Sequence, residues 1–380
     1  MTKERIFLSV GHASGYEERY IQEALASHWI TTGGAHVVAF ESALANYLGN
    51  NVHVTALNTG TAGIHLGLIL LGVQAGDVVL CQSMTFSASA NPILYQRAIP
   101  VFIDSEKETW NLCPIALEQA IVSEIAKGKK PKAIIAVHLY GVPYQIDAVR
   151  AVADAYQIPI LEDSAEALGS AYKGQKCGTF GDLAIVSFNG NKIITTSGGG
   201  AIVSHSKALK EKALFYATQS RDEAPHYQHS EIGYNYRMSN ICAGIGRGQM
   251  EVLDDHVAMR RKMNDFYVDL FCDIAEVSVF TVPNNTYFAN YWLSAILVEP
   301  NPVKRIDREA LRLAFEAANI ECRPLWKPMH LQPIFQDYAF YGSNIAETLF
   351  EKGLCLPSGS HLTDKERARI SEVAQEFFKK

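Results

Sequence analysis

Four short stretches of the chain carry residues whose types and spacing could do chemistry together. Ser187-Phe188-Asn189-Gly190-Asn191-Lys192 sets a lysine among small and polar residues just beyond an apolar run, and the glycines Gly198 to Gly200 that follow let backbone pass close to a ligand. A lysine held in a fixed, shielded place can act as an imine-forming nucleophile, whereas a lone lysine is by default a solvated surface charge. Glu162-Asp163 ends another apolar run, and a carboxylate there can keep a heteroaromatic nitrogen protonated, although capping a helix is the commoner use of such acids. Asn58-Thr59-Gly60-Thr61-Ala62-Gly63 precedes a helical apolar stretch. Small residues at a helix start expose N–H groups in a positive dipole field, which suits a phosphate and equally describes an ordinary helix entry. In Ser83-Met84-Thr85-Phe86-Ser87-Ala88-Ser89, Phe86 could stack on a planar cofactor or simply fill a core.

The elements that must position these residues follow from the pattern between about 50 and 205. The runs 77–81, 132–137, 159–161, 183–186 and 200–203 are strand-sized and show little polar alternation, as strands covered on both faces do. Helical patterns at Pro114 to Ala126 and Ile146 to Tyr156 lie between them, so the expected class is α/β with a mainly parallel, doubly wound sheet. Ligands of such sheets gather beyond the carboxyl ends of the strands, where all four stretches fall. A long charged helix from Met250 to Leu270, a strand at Tyr291 to Val298, a helix from Asp307, with Asp307 as its N-cap, and a closing helix from Thr363 to Phe378 place a boundary near residue 250. The expected division is 1–250 for a large domain with its N-terminal segment and 251–380 for a smaller α/β domain.

Composition narrows the function. The 380 residues have 48% hydrophobic and 19% charged residues, enough apolar surface for a sizeable core. A net charge of −6 without long basic runs argues against a general nucleic-acid binder. Seven scattered cysteines with no CxxC pair fit a reducing cytoplasm, and neither a signal peptide nor a membrane span is expected. The 12 histidines form no HExxH or Cys/His cluster, so no metal is expected. GxSxG and GxGxxG are both missing, which speaks against a hydrolase elbow and a nicotinamide fingerprint.

Taken together, the four stretches resemble the pyridoxal-phosphate aminotransferases of fold type I, and more closely the DegT/DnrJ/EryC1/StrS family of nucleotide-sugar aminotransferases. The resemblance runs nearly end to end. It includes Trp29-Ile30-Thr31-Thr32-Gly33, Val137-His138-Leu139-Tyr140-Gly141, Gly178-Thr179-Phe180-Gly181-Asp182, Gly233-Tyr234-Asn235-Tyr236-Arg237-Met238-Ser239 and Arg323-Pro324-Leu325-Trp326-Lys327-Pro328-Met329-His330. The run Asn189 to Gly200 is similar to the branch that aminates UDP-4-keto-6-deoxy-N-acetylhexosamines, as in UDP-bacillosamine synthesis. The resemblance implies a large domain with a mainly parallel, mixed seven-stranded sheet and a smaller C-terminal α/β domain. It also implies a homodimer with shared active sites and no nucleic-acid or membrane partner.

By matching position, Lys192 would bind pyridoxal 5′-phosphate as a Schiff base and then act as acid and base, while Asp163 would hold the ring nitrogen protonated. Phe86 would stack on the ring and Glu166 would contact its hydroxyl. Gly60, Thr61, Ala62 and Ser187 would bind the phosphate, and Asn235 would reach the phosphate of a neighbouring subunit's cofactor. His28, Trp29, Ile30, Thr31, His229, Arg323, Trp326, Lys327, Met329 and His330 would line the nucleotide-sugar pocket; for Arg323 a structural salt bridge is an equal reading. Val10-Gly11 stands where many relatives have Pro-Pro. The implied reaction passes an amino group from L-glutamate to a UDP-linked 4-keto sugar in surface-polysaccharide or glycan synthesis. A 3-keto acceptor and a non-catalytic cofactor-binding regulator are the alternatives, and Lys192 stands against the family's dehydratase branch, which has histidine there.

Overall fold

Apolar runs of four or five residues between 53 and 204 form the strands of one large sheet. The computed structural model describes residues 4–49 and 51–379. We label its strands β1 His53–Leu57, β2 Val78–Gln82, β3 Ile99–Ile103, β4 Ala133–Val137, β5 Ile160–Asp163, β6 Leu183–Ser187 and β7 Gly200–Ser204. Later in the chain come β8 Val277–Val279, β9 Ser294–Val298, β10 Arg323–Pro324, β11 Phe340–Tyr341 and β12 Gly353–Leu356. The large sheet runs β1-β7-β6-β5-β4-β2-β3-β11. It is parallel except at β7, which is antiparallel to both β1 and β6. Strands β2, β4, β5, β6 and β7 are buried along their whole length, which explains their missing alternation.

Helices Gly60–Leu70, Ser87–Tyr95, Pro114–Ala126 and Ile146–Tyr156 return the chain between strands. The first lies tight on the sheet because two of its residues lack side chains: a Cβ at Gly67 would come within 2.8 Å of Leu161, and one at Gly63 within 3.1 Å of Ile185. The sheet has the seven strands expected and an eighth, β11, which the C-terminal region adds beside β3, with Phe340 opposite Phe102. Two residues are too few to leave a periodic signal.

Beyond residue 250, β8-β9-β12-β10 form an antiparallel sheet. The helices Leu253–Phe271, Arg308–Ala317 and Asp364–Phe378 build its own core, around Phe271, Phe315 and Ile370. Asp307 caps its helix by accepting the Ala310 N–H, and Thr363 with Glu366 forms a capping box. The strand expected from Tyr291 starts only at Ser294, because Tyr291 adopts φ 48°. Ile6 is buried in this same core and bridges to Ile320, so the N-terminal segment crosses from the C-terminal unit to the large sheet. No helix among the described residues is long and apolar enough to cross a membrane.

Candidate active site

Strand register brings the four stretches to one edge. Leu57 pairs with Gly200 and Gly200 with Ser187, while Asp163 pairs with Ile185, so the carboxyl ends of β1, β6 and β5 lie along one edge, with the start of β7 between the first two. They open into a cavity of about 610 Å³, which Gly60, Thr61, Phe86, Asp163, Glu166, Ser187, Lys192, Arg323 and Trp326 all help to line. Leu8 and Ser9 of the N-terminal segment and Trp292 also line it.

Lys192 sits in the loop after β6. Its Nζ lies 3.2 Å from Glu166 Oε1 and 4.0 Å from the centre of the Trp292 ring, with 12% of the side chain exposed. The loop is fixed on several sides. Trp292 Nε1–H donates to the Asn191 carbonyl at 2.6 Å, and the buried Arg260 donates to the carbonyls of Lys192 and Trp292 and to Ser9 Oγ.

Asp163 ends β5, buried at the cavity wall. Ser89 Oγ donates to its Oδ2 at 2.7 Å and the Ala165 N–H to its Oδ1 at 3.1 Å. Burial raises its carboxyl above the usual range despite those donors and the Lys192 charge. A buried carboxylate of this kind gains most from a cationic partner in the cavity, such as a protonated ring nitrogen.

Its neighbour Glu162 does a different job. Its Oε1 lies 2.7 Å from His138 Nε2 and accepts the Gly178 N–H, while Oε2 accepts the N–H groups of Phe180 and Gly181. Burial opposes ionisation, yet the His138 contact and these amides hold the carboxyl below its usual range. No α-helix follows these acids, so the helix-capping reading of the pair does not apply. Glu162, His138 and buried Cys177 come close enough to suggest a metal, but the carboxylate oxygens already serve N–H donors.

At the phosphate end, Thr59 is the N-cap of helix Gly60–Leu70, and its Oγ1 accepts the Ala62 N–H at 2.9 Å. The Ala62 amide expected at the phosphate is here donated to that cap. Gly60 and Thr61 line the cavity, and a Cβ on Gly60 would press to 3.1 Å from Ser187 Cβ. Helix start, Ser187 hydroxyl, buried carboxylate and amine together fit a phosphorylated, nitrogen-containing aromatic aldehyde.

The remaining expected residues divide. Phe86 lines the cavity with 56% of its surface exposed and its ring 5.6 Å from Trp326. Glu166 meets the Lys192 amine, a contact that the expected ring-hydroxyl role does not include. Arg323 lines the cavity and also pairs with Glu321 at 2.7 Å, the ion pair of its structural reading. Met329 is a correction, since it packs in the core under the large sheet. His330 is another: its ring lies between Ser83 Oγ and Glu347 and stacks on Phe340 at 3.7 Å. Lys327, His229, Asn235 and His28 to Thr31 are exposed and lie outside the cavity wall of the single chain. Trp292, Ser89 and Arg260 had no assigned role. Ser89 sits in the Phe86 stretch, three residues from the ring, and that spacing was the available signal.

The DegT/DnrJ/EryC1/StrS aminotransferase family model matches residues 13–375. EpsN of Bacillus subtilis (strain 168), a protein assigned as a pyridoxal phosphate-dependent aminotransferase, is 49% identical over 379 residues, 99% of this chain and 96% of that one. GDP-perosamine synthase of Escherichia coli O157:H7 is 37% identical over 96% of both chains. Among solved structures, a DegT DnrJ EryC1 StrS aminotransferase from Brucella abortus superposes with a TM-score of 0.89 at 28% identity, covering 96% of each chain.

Proposed function

This chain belongs to the DegT/DnrJ/EryC1/StrS aminotransferase family, and on that premise we propose that it is a pyridoxal-phosphate enzyme that moves an amino group from L-glutamate to C4 of a UDP-linked 4-keto-6-deoxy-N-acetylhexosamine. The observation that carries the reading is the largely shielded Lys192 amine in one cavity with the buried Asp163 carboxylate, at the carboxyl edge of the sheet. When bound, the cofactor supplies an electron sink for the pair left on the substrate carbon. The protein's residues do the rest. Lys192 would hold the cofactor covalently, and its amine would take and return the proton exchanged at the substrate carbon. Asp163 holds a proton on the ring nitrogen. Gly60, Thr61 and Ser187 bind the phosphate, Phe86 covers a ring face, and Trp292 helps exclude water.

We assign residues 1–250 to cofactor binding and 251–380 to closing the site, since Trp292, Arg323 and Trp326 reach the cavity from there. Arg323 and Trp326 face the nucleotide, because a guanidinium suits diphosphate oxygens. Asn235 and the exposed segment His28 to Thr31 serve the site of a second copy, which accounts for their absence from this chain's own cavity wall. A GDP-linked keto sugar is the second reading, favoured by the relative named GDP-perosamine synthase.

Incubation with glutamate and a panel of UDP-, GDP- and dTDP-linked 3-keto and 4-keto sugars, read by mass and NMR, tests the acceptor. The UDP-4-keto-N-acetylhexosamine should gain nitrogen fastest. Preference for a GDP-linked sugar overturns the first reading in favour of the second, and no amination of any sugar sinks both.

A further inference from the structure

The Lys192 amine rests between two groups of opposite character. On one side is Glu166 Oε1 at 3.2 Å, and on the other the indole face of Trp292 at 4.0 Å. The Glu166 side chain is 4% exposed, and its second oxygen, Oε2, accepts the Tyr140 N–H at 2.8 Å. Asn290 Nδ2 donates to the Glu166 carbonyl at 2.8 Å and fixes its backbone. One carboxylate oxygen is therefore anchored and the other is left to the amine. Asp163 offers no such oxygen, since Ser89 and Ala165 donate to both of its own.

We propose that Glu166 is a catalytic residue, the proton acceptor and donor for the Lys192 side-chain amine. This rests on the reading of Lys192 given above. In the forward step an ammonium N–H bond of Lys192 breaks and the proton bonds to Glu166 Oε1. That leaves an amine with its lone pair and a neutral carboxylic acid. One proton moves, no electrons change hands, and the pair is neutral overall before and after. A buried site favours such an exchange, because the amine–acid form removes two desolvated charges while the ion pair is held by contact and by the Trp292 face. Burial, offset by the Lys192 charge and the Tyr140 N–H and reinforced by Asp163, carries the Glu166 carboxyl up to about 7, where it can both give and take a proton near neutrality. The titratable groups facing it are Lys192, Asp163, Tyr140 and Cys355.

Glu166→Gln keeps the size and the acceptor for Tyr140 but cannot exchange a proton, and Glu166→Asp restores an acid. In cofactor-free protein, the infrared difference between wild type and E166Q should contain a protonated-carboxyl band that fades as pH rises through about 7. With cofactor and glutamate, E166Q should lose about 10²-fold in kcat with KM changed less than about threefold, and should lose the pH limb near 7, while E166D recovers part of the rate. The same preparations, reduced with borohydride in the presence of pyridoxal phosphate, should carry the label on Lys192. If wild type is labelled there and E166Q keeps its kcat and pH limb, the proton role of Glu166 is wrong while the site reading stands. An infrared band missing across the whole range overturns that role as well. An unlabelled Lys192 in wild type overturns the reading of the site itself.

Discussion

At the scale of single residues, the cavity wall holds two groups on which the proposed chemistry turns. The first is Asp163, whose carboxyl is pushed above its ordinary value of 3.8 chiefly by burial. A carboxyl raised on folding adds stability below its ordinary value, and that stability is lost as pH rises through the raised one. Asp163→Asn should therefore leave the melting temperature of the cofactor-free protein at pH 8 unchanged or higher, while lowering transamination by about 10²-fold. A cooler melt with retained activity would contradict both halves. The second is Lys192, whose side chain is 12% exposed in the loop after β6. Lys192→Ala should lower turnover by about 10³-fold without unfolding the chain, measured by glutamate-dependent keto-acid formation and by circular dichroism. Both residues were legible in the sequence because Asp163 ends an apolar strand and Lys192 lies just beyond another, where a doubly wound sheet must present its ligand site. Trp292 was not, since it lies a hundred residues on and reaches Lys192 only through folding.

At the scale of elements, the loop 178–181 is hung from the end of β5 by one carboxylate. Glu162 accepts the N–H groups of Gly178, Phe180 and Gly181 and contacts His138, so it binds β4's exit, β5 and the approach to β6. Glu162→Gln should destabilise by about 3 kcal/mol, because a neutral amide cannot satisfy all these donors and leaves buried groups unpaired. The folded carboxyl lies below its ordinary 4.5, so its contribution is present above that value and disappears as pH falls through the lowered one. Chemical unfolding at pH 7 and again near pH 3.5 checks the sign: the gap between wild type and E162Q should narrow in acid. The N-terminal segment is tied in a similar way at Glu17. There the amides of Ser14 and Gly15 and the Gln249 side chain outweigh burial and bring the carboxyl down to about 2. Glu17→Ala should loosen the segment carrying Leu8 and Ser9 and raise KM more than it lowers kcat.

At the scale of the whole molecule, one chain leaves large apolar side chains in water. Trp29, on the segment proposed to serve a second copy's site, is 56% exposed, and Tyr227 and Ile232, ahead of Asn235, are 81% and 83% exposed. Apolar groups gathered on such segments suit an interface with another copy of this chain. Light scattering should give twice the 41.9 kDa chain mass, and Ile232→Asp should shift the equilibrium towards the single chain and lower activity with it. A monomer at full activity would remove the shared-site proposal and leave Lys192 and Asp163 untouched.

Local pattern by itself determined five strands of the large sheet, β2, β4, β5, β6 and β7, the helices Pro114–Ala126 and Ile146–Tyr156, the cap at Asp307, and the placing of Asp163 at a strand end and Lys192 just beyond one, because apolar periodicity and capping act over a few residues. Only the tertiary structure decided that β11 joins the large sheet, that the Ala62 amide meets the Thr59 hydroxyl, that Met329 and His330 turn inward, and that Glu166 faces Lys192. Each of these is a contact between segments far apart in the chain, or a choice between competing hydrogen-bond partners. Such choices are made by register and packing, which no short window of sequence contains.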